Sequence, residues 1–282
     1  MSAPAVVSRE AARPPRLATP RRYVLCPPTH FTLAQPINPW MTSGAVIDAR
    51  RAHDQWRRLV DTYRGLGHDV ELLAPAPGLP DMVFAANGGI VVGGRAFAAN
   101  FAHPHRRAEA DHHRANFARL GLSVAAGSAH VNEGEGDFLK AGDRILAGCG
   151  FRSARPAHDD LRAFFGLPVV SLTLVDPRFY HLDVALTVLD DALIAYFPPA
   201  FSPASVAVLE QLFPDAIRVD AADAERFACN AVSDGRHVVL DAQAERLAQQ
   251  LRAAGFEPVP IEMSELRKSG GSVKCCTLEL YR

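Results

Sequence analysis

The stretch ARRAHDQWRRLVDTYRGLGHDVELL, residues 49–73, carries the pattern on which the fold depends. Apolar side chains three and four positions apart, including Trp56 and Leu59, predict an amphipathic helix with one buried stripe. The break at Gly65-Leu66-Gly67 predicts the helix end, because glycine readily adopts the left-handed conformation of a helix cap. A short apolar strand, Val70 to Leu73, is expected next. The segment therefore predicts a helix followed at once by a strand.

The same unit recurs four more times, over residues 106–124, 161–172, 204–219 and 244–261. Each repeat contains additional strand candidates, so strands outnumber helices, whereas a doubly wound sheet has about one strand per helix. Radial repetition about a central axis accommodates this excess, and a plain α/β sandwich with coincidental spacing is the alternative. The additional strand candidates are Ile90–Val92, Ala96–Ala99, Arg144–Ala147, Ala185–Leu189, Leu193–Tyr196, Asn230–Val232 and His237–Leu240.

Composition and charge describe an ordinary globular protein and argue against two classes of partner. The 30 basic and 31 acidic residues give a net charge of −1, which leaves no excess positive charge for a nucleic acid backbone. No apolar run reaches the roughly 20 residues that span a bilayer, so no membrane association is expected. Five scattered cysteines suit reduced thiols and a cytoplasmic location. Residues 1–20 are predicted to be a disordered N-terminal tail that precedes a single domain over residues 21–282.

The segment SGGSVKCCTLEL, residues 269–280, places a thiol directly after a glycine turn. With a histidine far upstream, this is the arrangement expected of a thiol nucleophile, although a buried structural cysteine gives the same pattern. If Val273 to Leu280 is a strand, Cys276 shares its face with two leucines, whereas Cys275 lies on the more polar face. We therefore predict that Cys275 is the nucleophile.

Three further polar segments are candidates for a ligand site: Pro80–Gly89, Asn132–Phe138 and Phe179–Asp183. Their glycines and carboxylates suit a ligand held close to the backbone, although exposed turns have the same composition. His181 and Asp183 are two positions apart and would share one face of a strand. A histidine beside a carboxylate can be held in one tautomer and move protons, or it can be a simple polar contact.

In this order, the segments resemble the guanidino-group modifying enzymes of the pentein superfamily, which include arginine deiminase, dimethylarginine dimethylaminohydrolase and the amidinotransferases. The resemblance extends from Arg22 to Leu280 and is greatest to the arginine dihydrolase branch. It implies an α/β fold of the five-bladed α/β propeller type, in keeping with the five repeats. The matching stretches are Ile37–Met41, Phe84–Asn87, His103–Arg106, Gly150–Ser153, Phe179–Asp183, Phe227–Val232 and Lys274–Cys275.

The resemblance also implies a role for particular side chains. Cys275 matches the family nucleophile, His181 the general acid and base, and Glu133 the catalytic carboxylate. Glu135 is a rival for the last role, because a small slip in alignment exchanges the two. The remaining positions implied are substrate-binding, with Asp183 at the guanidinium, Arg106 and Arg152 at the α-carboxylate, and Asn38, Asn87, Phe84 and Asp81 lining the site.

The implied chemistry is hydrolysis at the guanidino carbon through a covalent cysteine thiouronium intermediate, with no cofactor. No metal is expected either, since the histidines between residues 103 and 113 lack supporting ligands at metal-site spacing. One departure is Asn87, where deiminases and dimethylarginine hydrolases usually have aspartate. A neutral amide can donate a hydrogen bond to a ureido oxygen, which favours arginine dihydrolase, the conversion of arginine to ornithine, ammonia and carbon dioxide.

The alternatives are dimethylarginine dimethylaminohydrolase, arginine deiminase, an amidinotransferase, and a non-catalytic binding module of the same fold. All the enzymatic alternatives share a small guanidine, arginine or methylated arginine, as the partner. The sequence is compatible with a homo-oligomer but contains no feature that specifies one.

Overall fold

The computed structural model describes residues 15–33, 35–42, 44–125 and 127–282. Strands and helices alternate through these residues, so the expected mixed α/β class is confirmed. The strands are β1 (Arg22–Leu25), β2 (Asp69–Leu72), β3 (Gly89–Val92), β4 (Arg95–Ala98), β5 (Ser123–Val124), β6 (Phe138–Ala141), β7 (Arg144–Cys149), β8 (Val169–Thr173), β9 (Leu186–Asp190), β10 (Leu193–Tyr196), β11 (Ile217–Arg218), β12 (Val232–Ser233), β13 (His237–Asp241), β14 (Glu257–Ile261) and β15 (Leu278–Tyr281). The α-helices are α1 (Ala49–Gly65), α2 (Glu109–Arg119), α3 (Ala157–Phe165), α4 (Leu182–Ala185), α5 (Pro203–Leu212), α6 (Ala221–Ala224), α7 (Glu245–Ala253) and α8 (Ser264–Arg267).

The sheets are built from three-stranded units that share one topology. In the unit β6-β7-β8, the first two strands are antiparallel, and α3 returns the chain so that β8 lies parallel to β7. The units β3-β4-β5, β9-β10-β11 and β12-β13-β14 repeat this order, with α2, α5 and α7 as the connecting helices. Each of the helix-and-strand repeats predicted after the first falls on the helix and outer strand of one of these units.

A fifth unit joins the two ends of the chain. Strand β15 pairs antiparallel with β1, and β2 follows α1 to lie parallel to β1. This unit contains the stretch 49–73, whose predicted helix and strand are confirmed as α1 and β2. Because β15 also pairs with β3, this fifth unit and the unit β3-β4-β5 form one six-stranded sheet.

Helix α1 forms where the sequence predicted it because capping and an apolar stripe agree. The Asp48 side chain accepts a hydrogen bond from the backbone N of Arg51, which satisfies a donor of the first turn. The stripe contributes Leu59 and Tyr63, both fully buried, and a buried leucine contributes about 1.5–3 kcal/mol. Tyr63 Oη lies 2.9 Å from Thr277 Oγ1, which fixes the helix against the segment that enters β15.

Two local predictions are wrong. The strand expected over residues 273–280 begins only at Leu278, and the residues before it form turns. The alternation that was used to separate Cys275 from Cys276 therefore does not apply, and both thiols are buried. Similarly, residues 181–183 do not form a strand. His181 is extended and Asp183 lies in α4, so the two side chains do not share a strand face.

The N-terminal tail predicted for residues 1–20 falls largely on residues 1–14, which lie outside the described residues. Contacts with the domain begin before the predicted boundary, because the Arg16 guanidinium stacks 3.5 Å from the Phe256 ring centroid and pairs with Asp190. Across the described ranges, no helix combines the length and apolar character needed to cross a membrane.

Candidate active site

Residues 133–137, here called the acidic turn, contain two glycines that allow a close approach to the neighbouring elements. A Cβ added at Gly136 would lie 2.4 Å from Asn87 Nδ2 and 3.2 Å from the His181 ring. Gly134 has a φ of +53°, and its added Cβ would lie 2.4 Å from the backbone N of Gly89. Larger residues would push these segments apart. The glycines therefore bring the acidic turn, the amide of Asn87 and the imidazole of His181 together.

Glu133 and His181 form a buried pair. His181 Nε2 lies 2.8 Å from Glu133 Oε2, and Arg152 Nη1 donates to the same oxygen at 2.9 Å. Burial alone would raise the pKa of Glu133, but Arg152, His181 and Arg106 outweigh burial and hold that pKa well below its usual range. Glu133 is therefore ionised and orients the imidazole. His181 Nδ1 has no hydrogen-bond partner among the described residues.

Glu135, the rival carboxylate, lies in a different environment. It accepts hydrogen bonds from Lys274 Nζ and, at 2.9 Å, from the backbone N of Glu279. Glu135 and Lys274 are both buried and in contact, and burial outweighs Lys274 and raises the pKa of Glu135 to about 8. Of the two carboxylates left open by the sequence, Glu133 is the one placed beside His181.

Cys275 lies in the turn before β15, between two hydrogen-bonding side chains. Its thiol donates to Asp183 Oδ2 at 3.1 Å, and its sulfur accepts from Asn230 Nδ2 at 3.1 Å. Burial, reinforced by Asp183, raises the pKa of Cys275 well above the ordinary thiol value. Burial also raises the pKa of Asp183 to about 7. The resting thiol is therefore protonated, and a cation beside it would favour the thiolate.

Arg106 and Arg152 are buried and already paired with protein groups. Arg106 donates to both carboxylate oxygens of Glu109 at 2.9 Å and to Asn87 Oδ1 at 3.0 Å. Besides its bond to the acidic turn, Arg152 donates to the carbonyl of Ile37 at 2.8 Å. Charge-assisted bidentate bonds of this kind are strong and directional. The two guanidinium groups therefore brace the site in this arrangement, and Glu109, which the sequence did not single out, anchors one of them.

Asn38 and Phe84 lie next to the glycine turn that precedes the thiol. Asn38 Nδ2 donates to the carbonyl of Ser269 at 3.0 Å. A Cβ added at Gly271 would lie 2.4 Å from the Phe84 ring and 3.1 Å from Cys275 Cβ. The glycine thus gives the phenyl ring and the thiol room to approach each other.

Asp81 lies beside Arg106. Its Oδ2 is 3.6 Å from His105 Nε2 and 3.9 Å from Arg106 Nε. Asp81 therefore contacts Arg106 and His105, whereas Asp183 is the carboxylate in direct contact with the thiol.

Besides Glu109, two site residues were missed by sequence reasoning. Asp137 accepts from the backbone N of Leu182 at 3.1 Å and from Ser153 Oγ at 2.6 Å, so it anchors the residue that follows His181. Asn230 contacts the thiol. Both lie inside stretches that the sequence did single out, but no local pattern indicates which distant group each would contact.

Within the part of the chain that the structure describes, no cluster of three or more His, Cys, Asp or Glu side chains has the geometry to hold a metal ion. The contacts place Glu133 beside the His181 imidazole, and Asp183 and Asn230 beside the Cys275 thiol. A thiol, an imidazole and carboxylates are the groups that nucleophilic and acid–base chemistry requires.

The fold, the site and the comparisons define a cysteine-dependent hydrolase that acts on guanidino compounds. The chain belongs to the family described as N,N dimethylarginine dimethylhydrolase, eukaryotic, whose model matches residues 36–282. It is 54% identical to the N(G),N(G)-dimethylarginine dimethylaminohydrolase of Mycobacterium tuberculosis over 96% of this chain and 88% of that protein. It is therefore a member of the guanidino-modifying superfamily that the sequence resembles.

Similarity to an arginine dihydrolase is also substantial. The chain is 37% identical to the bifunctional arginine dihydrolase/ornithine cyclodeaminase ArgZ of Synechocystis over 92% of its length, although it spans only 37% of that protein. A crystal structure of the N-terminal domain of ArgZ, covalently bonded to a reaction intermediate, has a TM-score of 0.90 and 36% identity, covering 93% of this chain and 98% of that domain.

Proposed function

We propose that Cys275 attacks the central carbon of an arginine-type guanidinium. The sulfur–carbon bond forms, His181 protonates the departing nitrogen, and an S-alkylthiouronium adduct remains. Water deprotonated by His181 then attacks the same carbon and expels the sulfur, which leaves a ureido product. The covalent intermediate in the related ArgZ domain supports a covalent path.

The environment of Cys275 supports activation of the thiol by the substrate. In the resting site the thiol donates to Asp183, and burial raises the pKa of both groups. A bound guanidinium cation would pair with the Asp183 carboxylate and lower the pKa of the adjacent thiol. Binding of a cationic substrate would thus create the nucleophile.

Asn87 is the observation that favours arginine dihydrolase. Its Oδ1 accepts from Arg106 Nη1 at 3.0 Å, which orients the amide so that Nδ2 faces the acidic turn and His181. This buried Nδ2 has no hydrogen-bond partner among the described residues, so it is available to donate to a ligand. A ureido oxygen accepts such a bond, whereas an ionised aspartate would repel it. The same site could therefore hydrolyse the neutral ureido product to ornithine, ammonia and carbon dioxide.

Dimethylarginine dimethylaminohydrolase activity is the second candidate, favoured by the family model and by the 54% identical relative. It uses the same first attack but stops at citrulline, with dimethylamine as the leaving group. Both candidates have a small guanidine as their partner.

A product assay distinguishes the two candidates. With arginine, the dihydrolase is expected to give ornithine and two equivalents of ammonia, since both hydrolytic steps occur at Cys275. Citrulline as the final product would reject the second step. Dimethylamine released from asymmetric dimethylarginine, with arginine left unchanged, would identify the second candidate.

We also propose that the five units close into a five-bladed α/β propeller and form one domain over residues 21–282. The pairing of β15 with both β1 and β3 supports closure, since it joins the unit formed by β15, β1 and β2 to the unit β3-β4-β5.

All five cysteines are free, which supports a reducing compartment such as the cytoplasm.

A further inference from the structure

Asn230 uses its whole side-chain amide at the nucleophile. Its Oδ1 accepts from the backbone N of Ser272 and of Cys275, both at 3.1 Å. Its Nδ2 donates to the carbonyl of Asp183 at 3.0 Å and to Cys275 Sγ at 3.1 Å. An asparagine amide has two donor hydrogens and one acceptor oxygen with two lone pairs, so every position is filled.

This network determines which way the amide points. If the amide were flipped, its NH₂ group would face the two backbone N–H groups and its oxygen would face a carbonyl oxygen, which are three unfavourable contacts. The orientation that directs an N–H at the sulfur is therefore the only one that satisfies the surrounding backbone. Asn230 is fully buried, so water does not compete for these bonds.

The backbone around Asn230 is held in an unusual conformation. Phe227 has a φ of +60°, which is an outlier for a bulky residue. The turn that follows is closed by a bond of 2.9 Å from Asn230 N to the Phe227 carbonyl, and Lys274 N donates back to the Asn230 carbonyl at 3.2 Å. Such strain persists where the surrounding structure requires one geometry, often at functional sites. Here the residue with positive φ begins the turn that ends at Asn230.

We propose that Asn230 is a catalytic residue that donates a hydrogen bond to the sulfur of Cys275 and stabilises it as the thiolate. In the resting protein the sulfur accepts this bond while its own hydrogen is donated to Asp183. When a substrate cation pairs with Asp183 and the thiol proton passes to His181, which delivers it to the departing nitrogen, the amide N–H remains pointed at the negative charge on the sulfur. The proposal rests on the proposed role of Cys275 as nucleophile.

Other groups also change the pKa of the Cys275 thiol, so the test must distinguish the effect of the Asn230 amide from their effects. Burial, Asp183 and Cys276 raise the pKa of the Cys275 thiol, while the Ser272 backbone N–H lowers it. Tyr180 lies close enough for the thiolate to raise the pKa of its phenol. The Asn230 side chain is not ionisable, so its replacement changes a hydrogen bond to the sulfur without removing an ionisable group.

The test measures the pH dependence of alkylation of Cys275 by iodoacetamide, followed by mass spectrometry of the peptide that contains it. Asn230→Asp keeps an acceptor for the two backbone N–H groups but loses the fixed donor, and Asn230→Ala removes both. In both variants we expect the midpoint of alkylation to rise by about one pH unit or more and kcat to fall about 10- to 100-fold, with KM within about threefold. Asn116→Asp, which makes the same change of charge on α2, is the matched control and should keep the wild-type midpoint.

The outcomes separate the two proposals. An active Cys275→Ala variant would reject the proposed nucleophile and the role of Asn230 with it. An inactive Cys275→Ala variant, together with Asn230 variants that keep the wild-type alkylation midpoint and kcat, would reject only the role of Asn230. Lower thermal stability in the Asn230 variants without a change in midpoint would likewise assign the residue to the fold alone.

Discussion

At the scale of single residues, partner charges decide which buried group is ionised. Glu133 has cationic neighbours that outweigh burial, so its pKa is well below the usual range. At Asp183 burial outweighs the lowering effects of the Cys275 hydrogen bond and the Lys274 charge, and burial raises the pKa of both Asp183 and Cys275. The site therefore has one permanent carboxylate at the imidazole and one proton held between the thiol and the second carboxylate. A guanidinium cation supplies the charge that the second pair lacks.

Cys275→Ala and Cys276→Ala are expected to have opposite effects, although the residues are adjacent and both buried. Loss of the nucleophile should reduce turnover by about 10⁴-fold or more with little effect on stability. Cys276→Ala should keep most of the activity and cost about 1 kcal/mol of unfolding free energy through lost packing. Turnover and urea denaturation of both variants check this. Full activity in Cys275→Ala would reject the assignment.

At the scale of the elements, short turns rather than regular strands place the functional groups. The acidic turn, the turn before β15 and the extended residue before α4 each bring one group inward. The two turns can do this because their glycines have a positive φ or a close approach that a regular strand does not allow, whereas His181 has ordinary extended geometry. The strands serve as the scaffold that sets the positions of these turns.

Gly136→Ala tests the acidic turn. Its new Cβ would lie 2.4 Å from Asn87 Nδ2, so the amide or the turn must move. We expect kcat/KM to fall at least about tenfold, because small displacements of positioned groups are costly to catalysis. Gly65→Ala at the end of α1 is the control, since nothing lies within 4 Å of its added Cβ. It should leave activity unchanged and raise stability by up to about 1 kcal/mol. Equal activity in both variants would contradict the close-approach argument.

At the scale of the whole molecule, polar contacts reinforce the junction between the last repeat and the unit that joins the chain ends. Asp234, in the turn between β12 and β13, lies 2.7 Å from His237 Nδ1 and 3.4 Å from His68 Nε2. Its backbone carbonyl also accepts from Thr19 N at 2.9 Å. Asp234 thus connects its own hairpin to the residues before β1 through its backbone carbonyl and to the residue before β2 through its carboxylate.

Acid should weaken this junction. Burial alone would raise the pKa of Asp234, but hydrogen bonds from His68 and His237 outweigh it and lower the pKa. A folded pKa below the unfolded value of about 3.9 gives stability that is present above that value and is lost as the pH falls. Asp234→Asn should therefore cost about 2 kcal/mol near pH 7 and flatten the loss of stability below about pH 5. Urea denaturation from pH 7 to pH 3 measures both; parallel curves for the two proteins would contradict the assignment.

The local signals in the sequence were sufficient for the elements but not for the contacts between them. Helix α3 ends at Gly166 with a φ of +71°, as the glycine rule predicts, because capping depends only on neighbouring residues. The strand expected over residues 273–280 was wrong, because the turn at its start is held by Asn230, a residue distant in the chain. Strand propensity depends on the local sequence and does not take account of a hydrogen-bond partner that is distant in the chain.

The amino-acid sequence by itself determined the five repeats, the mixed α/β class and the kinds of side chain at the site. Periodicity, capping and side-chain chemistry are local properties, so a single sequence is enough to recognise them. Tertiary structure alone decided that Glu133 rather than Glu135 lies beside His181, and that Asn230 contacts the thiol. The reason is separation along the chain: Cys275 and Asp183 are 92 positions apart, yet their side chains are 3.1 Å apart. Such a distance depends on how the units pack together, which no short stretch encodes.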